Sequence, residues 1–210
     1  MQLASKYIQK KGYREAMDYY IECHTPQLVV SSENGDIELK TSKSILGTVT
    51  KSDLSVHKSL LRCRRFQNIY TTNYDNVLEF TSKVLSEEEP YSSYNIVESG
   101  KKLSGNLSRN IIKIHGSICD DKNDFQFDGD SHLRYIIAQE DYDTYMEKHE
   151  AFSYLMRIAM LQGVFCLVGF SGTDPNYLAW VRWMSDILDV EDDDNCLLYT
   201  SDAADEARSV

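Results

Sequence analysis

The chain has 210 residues, enough for one ordinary domain with a sizeable core and a small insertion. A hydrophobic fraction of 42% excludes a disordered chain, and 33 acidic against 22 basic side chains argue against non-specific binding to nucleic acid or anionic membranes, a local basic patch aside. No apolar run reaches the roughly 20 residues that span a bilayer. Cys23, Cys63, Cys119, Cys166 and Cys196 are widely spaced with no CxxC pair, which suggests neither a zinc site nor a disulfide framework and fits a reducing cytoplasm.

Leu3 to Cys23 carries apolar and aromatic residues at helical spacing, among them Tyr7, Ile8, Tyr13, Ala16, Tyr19, Tyr20 and Cys23. Gly12 interrupts the pattern, so one bent helix or two short ones are expected. Thr25 to Thr50 is mixed, with a short strand predicted at Leu28-Val29-Val30 and turn chemistry at Glu33-Asn34-Gly35-Asp36. A helix follows from near Ser52 through His57, Leu60 and Leu61 to Cys63. Asn68 to Thr72 reads as a strand that leaves through Asn73-Tyr74-Asp75-Asn76, and Val77, Leu78, Phe80, Val84 and Leu85 predict a helix just past Asp75. Glu87 to Gly105 is a loop with a short edge strand.

Asn110 to Ile114 is the next predicted strand, since a run of β-branched residues favours burial in a sheet, and it stops at His115-Gly116-Ser117. Asp120 to Asp130 is an acidic connection without the order of a calcium loop. A short strand is read at Tyr135-Ile136-Ile137, and helical character runs from Glu140 to Met160 with Tyr142, Tyr145, Phe152, Leu155 and Met156 as candidate core. Gly163 to Gly169 is read as a buried strand ending in Phe170-Ser171-Gly172-Thr173-Asp174-Pro175. Thr173 or Asp174 then caps a helix that carries Pro175 in its first turn. His57 reads as structural, and His24, His132 and His149 as surface residues.

The stretch Cys196 to Glu206 resembles a translated sequencing adapter read in one frame. On that resemblance residues 1–194 form a partial domain, 195–210 are a non-native tail, and the natural protein continues beyond this point.

Three apolar strands thus run directly into polar residues, at Asn73-Tyr74-Asp75, at His115-Gly116-Ser117 and at Ser171-Gly172-Thr173-Asp174, with helices between them. This is the rhythm of a parallel sheet, whose strand exits share one edge and converge on a ligand there. Each exit has a plainer reading: a histidine that ends a strand, and Asn73, Asp75, Ser171 and Thr173 as helix caps.

Thr71-Thr72-Asn73-Tyr74-Asp75, Lys113-Ile114-His115-Gly116-Ser117 and Val168-Gly169-Phe170-Ser171-Gly172-Thr173-Asp174 resemble, in order and spacing, the signatures of the sirtuin-like superfamily. The likeness covers roughly Ser52 to Asp189 and is nearest to the divergent bacterial branch that serves as NAD-cleaving modules of anti-phage defence proteins. It implies a Rossmann-like parallel sheet flanked by helices, with NAD as substrate. By motif position, Asn73 holds the water or the nicotinamide-side ribose, and His115 is the base. Asp75 fixes the nicotinamide or the Asn73 loop. Ser171 and Gly172 face the phosphates or the adenosine ribose, and Thr72, Gly116, Gly169 and Asp174 complete the binding set. Amide and near-neutral imidazole suit the task, because nicotinamide leaves as a neutral group and needs no strong acid.

Two departures from the family pattern carry expectations. The paired CxxC motifs of the deacylases are missing, with Cys119 alone in that region, so no structural zinc is expected and NAD hydrolysis is favoured over deacylation. The opening strand and glycine-rich turn are also missing from the first 50 residues, from which a truncated amino end is expected. The functions in play are an NAD hydrolase effector with a sensor domain and a homo-oligomeric assembly in the full-length protein, a protein deacylase, and a non-catalytic sensor of NAD or ADP-ribose.

Overall fold

The isoleucine run predicted as a strand is the centre of a parallel sheet. The computed structural model describes residues 13–98, 102–103, 109–118, 135–170 and 172–188, and the chain divides into two compact units, Met1–Asp141 and Tyr142–Val210. In the first unit, β4 (Asn68–Thr71), β5 (Asn95–Val97) and β6 (Asn110–Lys113) form a sheet in the order β4-β6-β5, with both pairings parallel. The last strand in sequence lies in the middle. Ile111, Ile112 and Lys113 are therefore all buried, because a central parallel strand is covered on both faces.

Side chains two residues apart share a face of a strand. Ile111 meets Leu61 of α2 (Ser55–Arg62), Leu85 of α3 (Val77–Glu88) and Tyr94 in one core cluster, with Ile69, Leu78 and Ile96 packed against it. Lys113, on the same face one step further on, reaches Glu79 of α3. The amino ends of the strands are held by Arg109. Its guanidinium donates to the carbonyls of Leu61, Cys63 and Phe66 at 2.7, 2.7 and 3.2 Å and sits 4.1 Å over the Tyr94 ring. It thereby satisfies carbonyls that the end of α2 leaves without helical partners.

A second, antiparallel sheet precedes this one: β1 (Gln27–Val30), β2 (Ile37–Lys40) and β3 (Ile45–Val49), in that order. The predicted turn closes the β1–β2 hairpin, with Gly35 at φ 76 and the Ser31 amide bonded to the Asp36 carbonyl at 2.8 Å. Only β1 was legible in the sequence. β2 and β3 are short, β3 is almost wholly exposed, and neither buries a continuous face. The Asn76 side chain joins the two sheets. Its amide accepts from Leu28 N at 2.7 Å and donates to Leu28 O at 3.0 Å, in the manner of a strand partner.

α1 (Tyr13–His24) contributes Ile21 to a further cluster with Ile118 and Tyr135, against which Tyr74 and Ile137 pack. Tyr135 and Ile136 are buried but form no strand among the described residues; Ile136 N bonds to the His115 carbonyl at 3.0 Å, just beyond the end of β6. The short α4 (Gln139–Asp143) follows. The amino half of the helical stretch expected from Leu3 to Cys23 falls outside the described residues, as do the acidic connection and His132.

The second unit contains α5 (Tyr145–Lys148), α6 (Glu150–Gln162) and α7 (Pro175–Leu188). Tyr145, Phe152, Met156 and Trp180 are its buried centre, with Tyr145 edge-on to Trp180 at 5.8 Å. Two expectations fail here. His149 is buried, its ring 4.8 Å from that of Tyr145, rather than on the surface. Gly163 to Gly169 is irregular rather than a buried strand, and Val164 is 100% exposed. An apolar run becomes a strand only when a neighbour takes up its amides and carbonyls, and among the described residues no strand pairs with it.

Candidate functional site at the strand exits

Because β4 and β6 are adjacent and parallel, their exits lie side by side. Ile114 N continues the ladder to Thr71 O at 3.1 Å, and past the sheet Ile118 N bonds to Tyr74 O at 2.9 Å. The Thr72–Asp75 loop is thus stitched to the His115–Ile118 segment at both ends. Thr71 Oγ1 accepts from Asn73 N at 3.1 Å, turning the chain as it leaves β4, and Asn73 is exposed at the turn. Tyr74 donates its hydroxyl to Ile136 O at 2.5 Å and meets the Tyr135 ring edge-on.

His115 is 3% exposed, and the chain turns immediately after it through Gly116 at φ 96. That left-handed conformation is open to glycine and costly for other residues, so the glycine sets the direction in which the segment leaves the histidine. Asp75 Oδ1 accepts from Val77 N at 3.0 Å, a local turn that leads the chain into α3, whose N-cap position is Asn76.

Beneath the two exits lies a buried charge pair with no motif or spacing to mark it in the chain. Lys113, 1% exposed, pairs with Glu79 Oε1 at 2.8 Å and donates to Asp75 O at 2.5 Å. Ser117 Oγ is 3.5 Å from the same Glu79 oxygen. Burial raises the Glu79 carboxyl above its usual range, and the neighbouring Asp75 adds to this, while Lys113 pulls the other way. The short ion pair and the raised carboxyl point in opposite directions. Desolvation of a carboxylate enclosed this far outweighs one cation.

A cleft of about 330 Å³ opens on this edge of the sheet. Thr72, Asn73, Tyr74 and Asp75 line one side; the end of α1 lines the other, with Tyr20, Ile21 and His24 followed by Thr25 and Pro26. The volume lies at the lower end for a small-molecule site and suits part of a dinucleotide. Sequence reading took Tyr20 as part of a helical apolar stripe and His24 as surface. Their spacing of four, which puts both on one helix face, was the available signal.

The first-unit candidates Thr72, Asn73, Asp75, His115 and Gly116 lie at one sheet edge, but of these only Thr72, Asn73 and Asp75 line the cleft, and His115 is buried behind it in the strand exit. Gly169, Gly172 and Asp174 belong to the second unit. There Gly169 and Gly172 adopt φ 60 and 72, and Asp174 Oδ1 accepts from Tyr177 N at 2.9 Å, capping α7 ahead of Pro175 as expected. Ser171 and Cys119 lie outside the described residues. Among the described residues no three His, Cys, Asp or Glu side chains gather as a metal site.

Parallel strands flanked by helices, with polar loops and a cleft at their carboxyl ends, define an α/β protein of Rossmann-like build. Residues 67–209 match the SIR2-like domain, and the chain belongs to that family. The match begins one residue before β4 and takes in all three polar motifs; α1, the antiparallel sheet and α2 precede it. No curated protein matches the sequence. Membership carries NAD-related activity in general, NAD being the substrate that SIR2-like domains bind.

Proposed function

We propose that this domain hydrolyses NAD at the nicotinamide–ribose bond and acts as the effector of a bacterial anti-phage defence protein. One observation carries the reading: the Asn73 loop and His115 leave adjacent parallel strands and are tied together by backbone bonds on both sides of the exit. Residues 42 positions apart in sequence are thereby held at one edge, which is what positioning a single nucleophile requires.

In this reading Asn73 holds the attacking water or the ribose next to it. His115 accepts the proton as the water oxygen bonds to C1′, and it later releases that proton to solvent. The C1′–N bond breaks with its electron pair moving to the ring nitrogen, so nicotinamide leaves neutral and ADP-ribose remains. A near-neutral imidazole is matched to that proton transfer. Asp75 fixes the loop through its bond to Val77 N, and Thr72 and Gly116 shape the edge. Gly169, Ser171, Gly172 and Asp174 are assigned to the phosphate and adenosine side by motif position.

The test is nicotinamide release from NAD by the intact protein, with and without an acyl-lysine peptide. Release without peptide is the expected result. Consumption of NAD only when the peptide is present would make the protein a deacylase, and saturable binding with no turnover would make it a sensor.

A further inference from the structure

Lys113 stands two residues before His115 on β6, yet its ammonium acts on the neighbouring exit. Buried, it donates to the Asp75 carbonyl at 2.5 Å, so a side chain from the strand that leads to His115 holds the loop that carries Asn73. Glu79, in the first turn of α3, aims that ammonium, with Oε1 2.8 Å from Nζ. Ser117, buried in the turn after His115, places its hydroxyl 3.5 Å from the same oxygen. The pair thus reaches both exits, at Asp75 on one side and at Ser117 on the other. Backbone bonds already hold the Asn73 loop at Thr71 and Tyr74. Lys113 adds a third grip at Asp75, where the loop runs into α3.

A buried ion pair is a costly way to hold a fold. Lost hydration offsets most of the attraction between the charges, and an apolar pair of similar volume stabilises a core as well or better. The raised Glu79 carboxyl shows that cost here. An apolar pair, however, donates nothing to a carbonyl. Without Lys113 the Asp75 oxygen loses its side-chain donor, and the loop must shift to hydrate it. Placement of the loop, rather than stability, is what the charges contribute.

Building on the hydrolase reading, we propose that Lys113 and Glu79 are positioning residues of the strand-exit edge: they set Asn73 against His115 by holding the Asp75 carbonyl and the Ser117 hydroxyl. They act through these groups and not on the substrate. A displacement of about 1 Å at such an edge costs on the order of a hundredfold in rate.

The experiment compares the full chain with its double variant Lys113→Met/Glu79→Leu, in which an apolar pair fills the core and both tethers are gone. The urea midpoint stays close to that of the unsubstituted protein, while kcat for nicotinamide release falls roughly tenfold to a hundredfold and KM for NAD stays within about threefold. Glu79→Gln, which keeps an oxygen for Lys113 and Ser117, retains most of kcat. Amide exchange at Ile118, whose N–H bridges to Tyr74 O, speeds up in the double variant with no matching loss of global stability. Full kcat in the double variant overturns the proposal, as does a loss confined to KM, or Glu79→Gln as slow as the double variant. A double variant that fails to fold overturns it too, since the charges then serve stability. If the unsubstituted protein releases no nicotinamide, the hydrolase reading falls and Ile118 exchange decides the tether: faster exchange in the double variant sustains it, and unchanged protection overturns it.

Discussion

Replacing Lys113 by methionine removes the cation beneath the two strand exits and leaves Glu79 buried with its charge uncompensated. At 2.8 Å the pair's attraction is roughly 6 kcal/mol for an effective dielectric near 20. Burial nonetheless keeps the Glu79 carboxyl raised, so most of that attraction offsets desolvation. Taking away one member of such a pair costs about 3–5 kcal/mol, a large part of the stability of a domain this size. The pH dependence follows from the direction of the shift. A carboxyl raised in the folded state binds a proton more readily folded than unfolded, so acidification favours folding. In Lys113→Met the loss is largest at neutral pH and shrinks as pH falls through the raised value toward the ordinary carboxylate range near ~4.3. Urea denaturation at pH 7.5 and 5.5, each referred to the unsubstituted protein at the same pH, measures both effects. Adding Glu79→Leu to Lys113→Met restores most of the stability, because an apolar pair of similar volume has no charge to desolvate. A loss below about 1 kcal/mol at pH 7.5, or one that does not change with pH, would refute the charge-pair argument.

Gly116→Ala forces an L-residue into a φ of 96 and is expected to cost about 1–2 kcal/mol and to lower kcat for nicotinamide release, read from urea titration and steady-state kinetics together. Stability loss with full kcat would mean that the turn does not set the His115 segment. Asn76→Ala strips the side-chain partners from the Leu28 amide and carbonyl, and a loss of about 1–3 kcal/mol in thermal or urea unfolding is expected. Amide hydrogen exchange at Leu28 should rise with it; unaltered exchange would show that the clamp contributes nothing to holding β1.

The parallel sheet was legible because its central strand is buried on both faces, so Ile111 and Ile112 stand out without any partner in view. The exits were legible for a related reason, since polar residues directly after such a run have few other places to go. The antiparallel sheet was largely hidden: Ile37–Lys40 and Ile45–Val49 become strands through pairing with each other, not through burial that sequence alone reveals. The same physics in reverse explains the failure at Gly163 to Gly169, where hydrophobic content promised a strand and no partner strand takes it up among the described residues. His149, read as a surface residue, is buried because it lies one turn after Tyr145 and packs against that ring. Lys113 and Glu79 come together only through a strand and the helix that covers it, and the Tyr20–His24 wall only through the packing of Ile21.

The most direct measurement is nicotinamide release from NAD by the intact protein and by its His115→Ala and Asn73→Ala variants, each shown to be folded by its unfolding transition. Release by the unsubstituted protein, falling at least a hundredfold in His115→Ala and strongly in Asn73→Ala, is the expected result, on the scale of losing a general base. Release that persists unchanged in both variants would contradict the assignment of the two strand exits as the catalytic edge.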